Sequence, residues 1–312
     1  MATAPFPVNP VLTGVALAYR NGRLIADEVS PRRPVAGELF KYGKHSLGEK
    51  LTIPDTRVGR KSIPTEVEFS LTEVEASTED HGLDDVVPNK DIDQAGQIPG
   101  YSPLNTATEN LTDLVALARE VRVAGLVFGA ANYAVGNKLA LAGGDRWDDY
   151  ANSDPVDDHK AAMDSCVMRP NVAIYGRATW SKLSSHPKIL AAVGKLNVGG
   201  GIATREEVAR LFELDEIMVG ESWVNIANPG QAVTRARVWG KHASLIVRDK
   251  LADFQNKRPT FTLTAQWGTR IAGSINEPKV GLRGSVRVRV GESVRELVIA
   301  SDLGYLFENA VS

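Results

Sequence analysis

The chain has a single cysteine, Cys166. One thiol excludes an internal disulfide framework and any cysteine-rich zinc module, suits a reducing compartment, and reads as a small buried apolar group. Long apolar runs are also missing. No stretch reaches the ~18 consecutive apolar residues of a membrane span, and the opening MATAPFPVNP lacks the basic and apolar regions of a signal peptide. A soluble protein without an export signal is expected. Charge of one sign is lacking as well: 36 Lys and Arg stand against 38 Asp and Glu, a formal charge of -2. No global basic field is therefore available to hold a nucleic-acid backbone or an anionic membrane.

Catalytic spacings are equally scarce. The five histidines, at 45, 81, 159, 186 and 242, never form H-x-x-x-H, so a zincin has no support, and each reads as a surface or packed histidine. The run GGGIATR at 199–205 could cradle a phosphate. It lacks the lysine and hydroxyl of a P-loop and the order of a dinucleotide site, which leaves a flexible loop. GESWV around Ser222 fails G-x-S-x-G at its last position.

With 312 residues, 43% of them hydrophobic, the chain can bury one large core or two modest ones. Its first third is built differently from the rest: ten of sixteen prolines lie in residues 1–103, and all five tryptophans follow residue 140. Proline fixes φ and removes a donor, so this region is expected to run as extended segments such as 66–74, EVEFSLTEV, with Val67, Phe69 and Leu71 on one face. With six aromatics and little helical periodicity, the region should bury its apolar surface against something else.

From residue 105 the pattern changes. Leu111, Leu114, Val115, Ala118 and Val121 recur at helical spacing in a long helix over 105–127. Next come a strand at 171–176 and a helix at 177–194 interrupted or restarted at Pro187. Thr204 to Glu207 form a capping box, with Thr204 as the cap. Strands are expected over 215–226, 242–249 and 260–267. Near the end Val286, Val288 and Val290 alternate with Arg287 and Arg289, a half-buried strand beside a charged surface. There is no internal repeat.

The stretch 143–160, GGDRWDDYANSDPVDDHK, holds six aspartates. Asp154 followed by Pro155 reads as a helix start, with the carboxylate capping free backbone N–H groups. Asp157 and Asp158 then sit where the helix dipole favours negative charge. EF-hand spacing is absent. A metal-dependent hydrolase using Asp145, Asp148, Asp149 and Asp154 is a remote alternative, because a paired general base is missing.

Taken in order, DRWDDYANSDPVDDHKAAMDS, RPNVAIYGRATWSKLSSHPKIL, IATREEVARLFELDEIMVGES, RVWGKHASLIV and VIASDLGYLFENAV resemble the major capsid proteins of tailed bacteriophages. RLIADEVSPRRPV and FKYGKHSL resemble the beginning of those proteins. The resemblance runs from about residue 20 to the end. It implies an α+β fold shared with encapsulin shells and the herpesvirus capsid floor, with these parts: an N-terminal arm at 1–35, an extended E-loop at 36–80, a peripheral domain with a long spine helix at 81–140, an axial α/β domain at 141–275, and closing strands at 276–312. The function it implies is structural rather than enzymatic. Copies of the chain would self-assemble through pentamers and hexamers into an icosahedral virion shell around double-stranded DNA, without sequence-specific binding, cofactor, metal or membrane. A separate scaffolding protein, a portal and a decoration protein are the implied partners, and the host bacterial cytoplasm the place of assembly. An encapsulin-like compartment is the nearest alternative. Within the implied E-loop, Lys50, Arg57, Arg60 and Lys61 are the candidate contacts to a neighbouring subunit.

Overall fold

The computed structural model describes residues 8–18, 23–44, 53–66, 72–96, 101–195, 201–228, 230–254 and 258–312. Helices α1 (Pro10–Ala18) and α2 (Ala26–Val29) are followed by strands β1 (Arg32–Val35), β2 (Leu39–Lys44), β3 (Thr72–Ser77) and β4 (Glu79–Pro88). After α3 (Asn89–Ala95) and the long α4 (Pro103–Val127) come β5 (Lys138–Ala140), α5 (Pro155–Ser165), β6 (Val172–Gly176), α6 (Arg177–Leu183), α7 (Pro187–Ala192) and α8 (Arg205–Phe212). The chain then runs through β7 (Glu216–Gly220), β8 (Trp223–Asn225), β9 (Arg235–Arg237), β10 (Ala243–Ile246), β11 (Thr262–Glu277), β12 (Ser285–Val298) and β13 (Gly304–Glu308). Strand order is β1-β11-β12-β4 in a four-stranded sheet and β5-β13-β10-β6-β7 in a five-stranded one, with β2-β3 and β8-β9 as separate ribbons.

The first third is less extended than its prolines suggest. Helix α1 begins at Pro10, and the Asn9 side chain accepts the N–H groups of Val11 (2.9 Å) and Leu12 (3.4 Å). This is the same cap-then-proline start expected at Asp154. One side of α1 is buried through Leu12 and Ala16, in a cluster with Leu111 of α4 and Val288 and Val290 of β12.

Helix α4 starts where Ser102 accepts the Asn105 N–H (3.4 Å) and Pro103 takes the first turn. Its buried face differs from the expected one. Leu111 and Val115 are inside, whereas Leu114 (53% exposed) and Val121 (41% exposed) face outward. Thr108, Thr112, Arg119 and Glu120 take the interior positions instead. The threonines can do so because their hydroxyls donate to the carbonyls of Leu104 (2.8 Å) and Thr108 (2.7 Å), which pairs both buried hydroxyls.

Both faces of the five-stranded sheet are covered, so β6 and β10 are buried at every residue. Helices α5 to α8 supply Met163, Trp180, Leu183, Val208 and Phe212 to one core. The last turns of α4 and the α2 segment meet Ile174, Met218, Ile246 and Trp239 in the other. The stretch 215–226, expected as one strand, is split between β7 and β8 in different sheets. The break falls at Gly220, where a Cβ would come 2.0 Å from the Trp239 ring. Strand β11 begins in the expected 260–267 run and continues to Glu277, past an irregularity between Trp267 and Ile271. It pairs with β12 along its length, so hydrogen bonding puts residues 262–275 in the four-stranded sheet with β4 and β12. Of the expected strand at 66–74, residues 67–71 lie outside the described residues, and β3 takes up the chain at Thr72.

Candidate assembly interface

The β2-β3 ribbon pairs antiparallel from Leu39↔Ser77 to Lys44↔Thr72. Its root is anchored: Phe40 and Tyr42 pack on Phe254 with ring centroids 5.5 and 6.1 Å apart. Beyond it, residues 53–66 are exposed apart from half-buried Pro54, and their bonds are local turns such as Ser62 N–H to Gly59 O (3.0 Å). Ile53 is 88% and Ile63 92% exposed. Apolar side chains left open in this way mark a surface that something else covers. Arg57, Arg60 and Lys61 all lie in this segment, and among the described residues none of their side chains has a polar partner. Lys50 falls outside the described residues.

A buried charged junction holds the chain just before the ribbon. Arg119 of α4, 1% exposed, bonds Asp27 and donates to Ser30 O (2.9 Å) and Thr264 Oγ1 (3.0 Å). Arg32 reaches Asp27 (2.6 Å) and Glu292 (2.7 Å), and Arg270 reaches the same Glu292 (3.0 Å). Burial alone would raise the Glu292 carboxyl, but Arg32, Arg270 and Arg119 outweigh it and hold the group below the usual carboxylate range. Such a cluster adds little net stability over an apolar one, but removing a single member strands a charge. Next to it, Glu120 accepts the N–H groups of Ile25 (3.1 Å) and Ala26 (2.8 Å) and the Trp239 Nε1–H (2.6 Å). Burial pushes this carboxyl above its ordinary range despite those donors. Apart from Arg32 with Asp27, five residues apart, these pairings have no local sequence signal, since their partners lie 22 to 260 positions apart.

Five of the six aspartates of 143–160 each give their carboxylate a different partner. Asp154 accepts the N–H groups of Val156 and Asp157 (both 3.2 Å) and the Lys188 ammonium (2.9 Å). Asp158 accepts the Trp147 indole N–H (2.8 Å), Asp148 the Ser312 N–H (3.1 Å), and Asp149 the Asn152 amide (2.9 Å). Asp157 pairs with Lys160 (3.6 Å), and Asp145 closes a short turn at Gly143–Asp145. Among the described residues no group of three or more His, Cys, Asp or Glu could hold a metal ion. Thr204 accepts the Glu207 N–H (3.3 Å) while the Glu207 carboxylate accepts the Thr204 N–H (2.9 Å). His159 is fully buried between Trp147 and Phe212. Its Nδ1–H donates to Pro155 O (2.5 Å) and its Nε2 accepts the Tyr175 hydroxyl (2.8 Å), and burial lowers its pKa to about 4. Cys166 is half-buried, and burial raises its thiol to about 11. No described helix is long and apolar enough to cross a membrane.

Sequence reading missed a second exposed apolar group, on the β8-β9 hairpin. Trp223 is 49%, Ile226 64% and Val233 69% exposed, and the Arg237 guanidinium lies 3.8 Å over the Trp223 ring. A short strand with an aromatic and an arginine offers no signal that separates a surface hairpin from a core one.

Comparison with known proteins gives consistent relatives. A family model described as Phage major capsid protein E matches residues 130–239. The chain is 53% identical to the major capsid protein of Pseudomonas phage JBD67 over 100% of both chains. It is 27% identical to the major capsid protein of Burkholderia phage BcepMu over 96% of this chain and 95% of that one. Among solved structures, a phage-related protein from Bordetella bronchiseptica superposes with a TM-score of 0.75 at 24% identity, covering 98% of this chain and 99% of the other. The capsid structure of Cyanophage P-SCSP1u gives 0.59 at 12% identity, over 99% of this chain and 92% of that one. At these identities the structural likeness bears on fold alone.

Proposed function

The chain belongs to the phage major capsid proteins and carries their α+β fold, and from that premise we propose that it builds the head shell by strapping each copy to its neighbours through the β2-β3 ribbon. As a major capsid protein of a tailed phage, it is a structural component of the virion. In the proposed division, residues 1–35 are an arm and 36–80 the strap. The long helix α4 and the four-stranded sheet form a peripheral body that includes 262–298, and the five-stranded sheet with its helices forms the axial body. Copies join as pentamers and hexamers into an icosahedral shell around double-stranded DNA. A separate scaffolding protein, a portal and a decoration protein serve assembly in the host cytoplasm. The near-neutral charge supports an enclosing wall that does not grip its contents.

The observation that carries the strap is the exposure of Ile53 and Ile63 on a segment without internal support. A lone subunit leaves that surface in water, so association is favoured. Negative-stain microscopy and sedimentation of the purified chain test this. Shells, tubes or uniform rings are expected. A strictly monomeric species at high concentration would overturn the reading.

A further inference from the structure

The β8-β9 hairpin stands apart from the five-stranded sheet as a two-stranded ribbon, and its two faces differ. Pairing sets Trp223 opposite Arg237, Val224 opposite Ala236 and Asn225 opposite Arg235. Val224 and Ala236 are half-buried, whereas Trp223, Asn225 and Arg235 are exposed on the other face. On that open face the Arg237 guanidinium lies over the Trp223 ring and donates to Glu221 O (2.7 Å), so its position is fixed before anything binds. Arg235 has no polar partner among the described residues.

More cations gather at the root of the hairpin. Arg177 and Arg205, the first residues of α6 and α8, share one carboxylate, that of Glu221 (3.1 and 3.3 Å). The backbone of Gly240 packs so closely on Gly176 that no Cβ would fit there, which brings the exposed Lys241 beside the start of α6. Between Glu221 and Asp249 the sequence holds no acid. The next acids along α8 are engaged, Glu206 with Thr204 and Glu207 with Lys195. Arg177, Arg205, Arg235, Arg237 and Lys241 thus make a locally basic surface with one shared carboxylate, on a chain whose formal charge is -2.

The form of this surface favours one kind of polyanion. Guanidinium groups grip phosphate through two parallel N–H bonds, and a two-stranded β-ribbon is of the size that the major groove of a DNA duplex admits. A duplex also carries one charge per ~1.7 Å of its axis. An extended polypeptide with an acid at every residue reaches only about half that density, at ~3.4 Å per residue. We propose that the open face of β8-β9, with Arg177, Arg205 and Lys241, is a sequence-independent contact for the phosphate backbone of double-stranded DNA. The hold is local and weak, as a near-neutral wall requires, and it does not depend on the strap.

Fluorescence anisotropy of short labelled duplexes with the purified full chain tests this. Two duplexes of unrelated sequence should bind alike to within about twofold, and the logarithm of affinity should fall against the logarithm of salt with a slope of about -4, for four to five phosphate contacts. Arg235→Glu with Lys241→Glu should weaken binding at least tenfold and flatten that slope by about 2. Far-UV spectrum and sedimentation should stay those of the parent, because neither side chain has a polar partner to lose among the described residues. Arg235→Ser with Lys241→Ser adds no repulsion and should still weaken binding about threefold, which keeps the test open if charge reversal disturbs folding. Lys279→Glu with Arg283→Glu makes the same change of net charge on the exposed β11-β12 turn and should weaken binding by no more than about twofold. Equal weakening by this control would reduce the effect to net charge and overturn the proposal, as would failure of the parent to bind duplex at low salt. Polyglutamate that competes as well as DNA at equal charge would overturn it in favour of an acidic protein segment. A chain that binds duplex but does not assemble would remove the strap reading and leave this one standing.

Discussion

The five-stranded body and the β2-β3 ribbon treat apolar residues in opposite ways. In the body, β6 and β10 are buried throughout, and the indoles of Trp147 and Trp239 are fully enclosed. On the ribbon's far segment, Ile53 and Ile63 are almost wholly open although both are strong β formers. One region satisfies itself within a single copy. The other leaves its apolar side chains uncovered within the copy, so under the proposed strap reading a mutation should show itself as unfolding in the first and as failed assembly in the second.

The sharpest way to break this contrast is inside the body. Gly220→Ala would drive a methyl into the Trp239 ring, 2.0 Å from its nearest carbon, with no flexible neighbour to give way. A loss of about 3 kcal/mol is expected, read as a lower urea midpoint or insoluble expression before any assembly assay. An intact, assembly-competent variant would mean that the indole can move.

Acid should also act on the body. His159 titrates near 4 when folded and near 6.5 when unfolded, so between those values the unfolded chain binds more protons than the folded one. Stability due to this group is fully present above about pH 6.5 and falls as pH drops towards 4, by about 3 kcal/mol in all. Urea melts of parent and His159→Gln across that window check the sign. The parent should be the more pH-dependent of the two, and equal slopes would remove His159 as the cause.

The ribbon should respond least in stability and most in assembly. Replacing Lys50, Arg57, Arg60 and Lys61 with serine should leave the unassembled subunit within about 0.5 kcal/mol of the parent. Shell yield should fall, and more steeply at high salt, where any remaining ion pairs are screened. Normal assembly at every salt concentration would erase the contrast between the two regions.

How far these regions were legible in the sequence follows from the range of the interactions. Local chemistry was readable. The alternation of Val288 and Val290 with Arg287 and Arg289 matches β12, and the side chains of Asp154 and Thr204 cap α5 and α8. The same local signal at Asn9–Pro10 passed unread because surrounding prolines argued for extended chain, and a helix stands there. For α4, periodicity located the helix but not its buried face, since Thr112 and Arg119 enter the core only through partners that the sequence does not reveal. The close approach that requires glycine at position 220 was hidden for a related reason: the indole packed there comes from residue 239. At the candidate interface, the lack of internal support around Arg57 to Lys61 was readable from composition. The Trp223 hairpin was not, because whether a short strand joins a covered sheet or stands as a separate ribbon is a property of sheet order.

The charged junction also bears on the order of events during synthesis. Arg32 and Arg270 share Glu292, and the Arg32 contact spans 260 residues. Contacts of such separation are slow to form, because a long loop must close before any interaction is gained. A nascent chain therefore carries Arg32 and Arg119 without Glu292 until almost all of it has left the ribosome. The segment leading into the ribbon docks only after β12 exists. Under the proposed strap reading, a growing chain would thus present no finished strap to completed neighbours, and unfinished copies would stay out of the shell.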